Sequence, residues 1–178
     1  MNNFSLSWSK PPFAEVRILC VGSPFAGDSI GMRLGERLLQ RQQHAQLPSW
    51  IQVVCADRPG MSMLWEFEQA ECVVIVDALR SEMPAGSVVQ LPVQDLFLHD
   101  MQVSSHEIGV AQVLAMASML GSLPKSLFVF GVSVGETLNW LPGLEQLNQV
   151  ADRVLEQIAA CLANITDEYH SLEDSVLE

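Results

Sequence analysis

Short apolar runs alternate with amphipathic stretches along most of the chain. Val16–Gly22 (VRILCVG), Ile51–Ala56, Cys72–Asp77 (CVVIVD), Ser87–Leu91 and Ser126–Val134 (SLFVFGVSV) are the apolar runs. Each is short and most are rich in Val and Ile, which favours strands over buried helix. From Asp28 to about Gln43, the residues Ile30, Leu34, Leu38 and Leu39 fall on one face of a helix. Pro59–Gln69 opens on a proline, which suits the first helical turn. Ser104–Leu120 and Pro142–Ala163 predict two more helices, with Ser104 or Ser105 capping the first of them. The alternation predicts an α/β fold: a single three-layer domain with a mostly parallel, about five-stranded twisted sheet and helices on both faces. The almost wholly apolar third run fits a sheet covered on both sides.

Nothing repeats and no linker divides the pattern, so one domain is expected over residues 15–163. Residues 1–14 read as a flexible arm and 164–178 as an acidic, mobile tail. From Asp167 onward there are five acids and no Lys or Arg.

Charge and composition narrow the function classes. The 178 residues include 9 Lys and Arg against 21 Asp and Glu, a formal charge of −12. Such a chain repels phosphates, so nucleic acid and anionic membranes are not expected partners. A hydrophobic content of 49% argues against disorder. Cys20, Cys55, Cys72 and Cys161 form no CxxC pair and mostly sit in apolar runs, as reduced core thiols do. No signal-peptide pattern opens the chain and no apolar run is long enough for a bilayer span. The expectation is a soluble, cytoplasmic monomer.

Ligands of open α/β sheets bind beyond the carboxyl ends of the strands. Three polar residues stand there. Asp28 follows the first strand within GSPFAGDSIG, at a helix start where a carboxylate caps free N–H groups. Asp77 closes the third strand. His106 lies in VSSHEIG, where a helix N-terminus favours the neutral imidazole that binds metals. Each alone has an ordinary structural explanation. Together they form an open O/N ligand set without thiolate, unlike a closed structural zinc site. GxSxG, HExxH and P-loop patterns are absent. His44, His99 and His170 read as solvent-facing. Arg58, Arg80 and Glu136 follow strands and could border the same edge, but they read first as ordinary surface, cap or loop charges. Met116, Met119, Leu114 and Leu120 read as helix core, whereas Met61, Met63 and Trp65 offer either core packing or a partner groove.

The chain resembles the maturation endopeptidases of nickel–iron hydrogenases over about residues 16–160. The resemblance is carried, in order, by ILCVGSPFAGDSIGMRLGERL, ADRPGM, VVIVDALRSEMPAGSVVQL, SSHEIGVAQVLAMASMLG and PKSLFVFGVSV. It implies removal of a C-terminal extension from the hydrogenase large-subunit precursor after nickel insertion. It also implies that nickel, carried by the precursor, is recognised through Asp28, Asp77 and His106, with no organic cofactor. The family's acidic pair before the first helix is here the single acid Asp28, preceded by Gly27. Counted back from the helix, Asp28 matches the metal-binding acid; counted forward from Gly22, that place falls to Ser29. An alternative is a non-catalytic metal- or partner-binding module of the same fold, and a third reading is a general metal-dependent peptidase.

Overall fold

A computed structural model of the chain describes residues 6–23, 29–98, 109–136 and 140–176. The elements run β1 (Val16–Gly22), α1 (Ile30–Gln43), β2 (Ile51–Asp57), a 3-10 turn (Gly60–Ser62), α2 (Met63–Gln69), β3 (Cys72–Leu79), β4 (Val88–Leu91), α3 (Val93–Leu98), α4 (Val110–Leu120), β5 (Ser126–Ser133) and α5 (Leu144–Val176). The five strands form one sheet in the order β2-β1-β3-β5-β4. All neighbours are parallel except β4, which is antiparallel to β5. The connection from β3 to β4, residues 80–87, is too short for a helical crossover, so β4 turns back.

Strand alternation sorts the core into two layers. Ile18, Cys20, Val74, Val76, Phe130 and Val132 face α1 and α5. Leu19, Val21, Val73, Ile75 and Val129 face α2 and α4. The first five residues of β3 are buried, as a strand roofed on both sides requires. Along α1, Ile30, Leu34 and Leu38 repeat every four residues and are buried, while Gly31 and Gly35 let the helix touch the sheet. A Cβ on Gly31 would fall 1.7 Å from the carbonyl oxygen of Val21. The α1–α5 contact also holds the buried Arg41, paired with Asp152 at 2.6 Å.

The described elements depart from the sequence pattern in several places. The N-terminal arm is not loose where it is described: Leu6, Trp8 and Phe13 pack on the α1/α5 core, and Trp8 meets Trp50 edge-on at 6.1 Å between ring centroids. The closing helix does not stop near Ala163 but continues to Val176, so most of the expected tail is helical. Ile165 prolongs its apolar face, and the Thr166 hydroxyl donates to the Leu162 carbonyl at 2.9 Å.

Of the helix expected over Ser104–Leu120, residues 104–108 lie outside the described residues, and α4 runs from Val110 with Gly109 as its N-cap. Gly109 is extended there, and its N–H donates to Gln112 Oε1 at 2.7 Å, which closes the helix start locally. At its other end Gly121, at φ +68°, and the Ser122 N–H bond to the Ala117 carbonyl form a left-handed cap. Met116, Met119 and Leu120 are exposed rather than core; only Leu114 of that set is buried. Likewise Met63 is buried and Trp65 exposed. The N-cap of α1 is Ser29, not Asp28. No described helix is long and apolar enough to cross a membrane.

Candidate active site

The chain leaves β1 for β2 on one side and returns past β1 to β3 on the other. The gap between β1 and β3 is therefore the switch point at which sheets of this kind hold ligands. Its geometry is visible in the register. Pairing of β1 with β3 ends at Cys20–Val76, whereas pairing of β3 with β5 continues through Asp77–Gly131 to Leu79–Ser133. Asp77 is thus the first residue of β3 beyond the β1 ladder. It has the same parity as Val73 and Ile75, which face α2 and α4. The run of buried apolar residues before it makes Asp77 the first polar group of β3, and it is half-buried. The Ala78 N–H donates to Asp77 Oδ1 at 2.7 Å and orients the carboxylate. Such a group can ligate a cation or take a proton from water.

Two other anchors shape this edge. The Arg58 N–H donates to the Gly22 carbonyl at 2.9 Å and holds the ends of β1 and β2 together. Arg58 does so at φ +42°, a region few non-glycine residues occupy. Its guanidinium pairs with Asp57 at 2.8 Å, both groups being well exposed. Beyond β3, the buried hydroxyl of Ser133 accepts from Ser81 Oγ at 3.0 Å and donates to the Met83 carbonyl at 2.9 Å. It ties the chain after Asp77 to the end of β5. Sequence reasoning missed Ser133; the signal was a serine closing the apolar run FVFGVS. Ser23, just past β1, is also buried.

Of the three predicted site residues the structure places Asp77. Asp28 and His106 lie outside the described residues, as do Ser104 and Ser105. Arg80 and Glu136 are both exposed and stand just past the ends of β3 and β5. His44 is exposed at the end of α1, as expected, with Nδ1 2.6 Å from the Gln40 carbonyl. Among the described residues no three His, Cys, Asp or Glu groups gather closely enough to hold a metal ion.

The cysteines are free thiols. Burial pushes Cys72 up to about 12, with Cys161 adding to the rise. Burial, and then Cys55, raises Cys20 further still. Cys55 and Cys161 are half-buried and also raised, chiefly by burial. Thiols so raised stay protonated at neutral pH and are poor nucleophiles.

The chain matches a family model described as "HycI: Hydrogenase maturation protease" over residues 32–163. It is 30% identical over 154 residues to the hydrogenase 2 maturation protease of Escherichia coli strain K12, covering 83% of this chain and 90% of that one. It is 28% identical over 151 residues to the hydrogenase expression/formation protein HupD of Thiocapsa roseopersicina, covering 83% of this chain but only 66% of that relative's length. Its fold is similar to that of the hydrogenase maturating endopeptidase HybD from E. coli, with a TM-score of 0.60 at 24% identity over 84% of this chain and 93% of that one.

Proposed function

Because the chain belongs to the hydrogenase maturation protease family, we propose that it removes the C-terminal extension of a nickel–iron hydrogenase large-subunit precursor after nickel insertion. The observation that carries this reading is the place of Asp77, an oriented carboxylate where the β1–β3 ladder opens. In this reading nickel is cargo of the substrate, and Asp28, Asp77 and His106 recognise it. Asp28 comes two positions before the first residue of α1, and His106 four before that of α4. Asp28 therefore lies in the connection from β1 into α1, and His106 in the connection from α3 into α4.

The chemistry is hydrolysis of one peptide bond. The raised thiols favour water over an enzyme cysteine as the nucleophile. Water adds to the scissile carbonyl, the C–N bond breaks and the leaving amine takes a proton. Bound nickel polarises the carbonyl or the water. Asp77 contributes as nickel ligand, and its carboxylate is also suited to accept the proton of the attacking water. The setting proposed is the cytoplasm, with the enzyme a monomer and no organic cofactor.

Purified nickel-loaded and nickel-free precursors test the reading. Release of one defined C-terminal peptide, from the loaded precursor only, is expected. Asp28→Ala, Asp77→Ala and His106→Ala should each abolish it. Unchanged cleavage by all three variants overturns the site, and cleavage of unrelated peptides overturns the specificity.

A further inference from the structure

We propose that Arg80, with Arg58 across the same edge, reads carboxylate groups on the peptide to be cleaved; this inference rests on the proteolytic reading above. The chain has seven arginines. Arg17, Arg33, Arg37, Arg41, Arg58 and Arg153 each bond to a carboxylate, an amide or a backbone carbonyl. Arg80 is exposed and makes no hydrogen bond or ion pair with any described residue. Among the described residues, with 21 acids against 9 cations in the whole chain, Arg80 is the arginine without such a bond. It also stands three positions after Asp77, one residue past the end of β3.

Arg58 supplies the second, independent observation. It is one residue past the end of β2 and sits at φ +42°. Backbone of this kind is costly for a residue with a side chain and concentrates at ligand clamps. Its ion pair with Asp57 is solvent-exposed, and pairs of that kind contribute little to stability.

The strand order β2-β1-β3 sets the spacing of the two. They follow strands separated by two sheet spacings, about 10 Å. That is about the reach of three residues of extended peptide. Arg58 and Arg80 therefore stand on either side of the end of β1, at the sheet edge that carries Asp77. Planar guanidinium forks match carboxylates in a bidentate way that lysine does not. The other described charges of this edge are Asp57, Asp77, Glu82 and Glu136. They and the net charge of −12 oppose an acidic peptide at long range. Recognition by the arginines is therefore a short-range effect, felt in KM.

Steady-state cleavage of nickel-loaded precursor by the wild type, Arg80→Gln, Arg80→Lys and Arg58→Gln tests this. Arg80→Gln should raise KM about tenfold with kcat within twofold of wild type, and Arg80→Lys should recover only part of the loss. A precursor whose extension has Asp and Glu replaced by Asn and Gln, and one with an amidated C-terminus, separate side-chain from terminal carboxylates. At least one of them should reproduce the KM rise with wild-type enzyme and show no further rise with Arg80→Gln. A wild type that does not cleave overturns the proteolytic reading, and this inference with it. A wild type that cleaves while Arg80→Gln keeps KM within twofold overturns the inference alone. A fall in kcat without change in KM also overturns it.

Discussion

Gly131 and Leu79 meet so closely that a Cβ on the glycine would stand 2.9 Å from both Cβ and Cδ2 of the leucine. Gly131 is also the register partner of Asp77. The absent side chain thus lets the last turn of the β3–β5 ladder close beside the candidate carboxylate. Gly131→Ala would push the end of β3 aside and cost about 1–3 kcal/mol, as overpacking usually does. Urea denaturation should show a lower midpoint at unchanged slope. Cleavage should fall further than the loss of folded protein explains, because Asp77 moves with the strand.

Gly31→Ala is a harsher change. Its Cβ would fall on the backbone oxygen of Val21, which cannot rotate away. A loss above about 3 kcal/mol is expected, past the usual overpacking range. Circular dichroism melts of soluble protein, or its failure to accumulate, would report it.

Buried thiols link stability to pH. The ordinary thiol value is 9.0, and burial takes Cys72 to about 12 and Cys20 higher. The folded state therefore keeps protons that the unfolded state loses. The resulting stability is full below pH 9.0 and is lost progressively as pH rises through about 12. Denaturation midpoints should begin to fall above about pH 9, and Cys72→Ala should flatten that decline. At pH 8, a thiol reagent should leave Cys20 and Cys72 unlabelled in native protein while Cys55 and Cys161 react slowly.

The two ends of the chain should respond differently to change. Trp8→Ala removes the edge-on contact with Trp50 and part of the α1/α5 cover. Since Trp8 is only half-buried, about 2 kcal/mol is expected, below the 3–5 of a core tryptophan. Deleting 167–178 removes helix whose described side chains, Asp167, Glu168, Tyr169 and Ser171, are exposed. It should shift stability by no more than about 0.5 kcal/mol. Ile158→Ala, at a fully buried position of the same helix, should cost about 2–5 kcal/mol. Parallel urea titrations of the three variants would rank them.

The sheet was legible in the sequence because burial on both faces forces near-continuous apolar strands, as in Cys72–Val76. Strand starts matched to within a residue. Helix ends were harder, since they depend on contacts as much as on pattern. Ile165 and Thr166 carry α5 onward through packing and a side-chain bond that periodicity alone does not reveal. The start of α4 rests on Gly109 and Gln112, a cap with no Ser or Asp to announce it. Met116 and Met119 are hydrophobic yet exposed, because α4 turns only one side to the sheet. At the site, Asp77 was legible as the acid that ends an apolar strand. The bonds of Ser133 join positions some fifty residues apart in the chain, which no local pattern encodes.

The β1–β3 ladder opens within one continuous sheet, so both walls of the opening belong to a single rigid body. Among the described residues no hinge separates them. Their separation is that of neighbouring strands, fixed by backbone hydrogen bonds only a residue or two below. Selectivity at such a mouth works as a fixed gauge: the incoming peptide has to conform to it. Binding should therefore leave the radius of gyration of the enzyme unchanged and order the substrate instead.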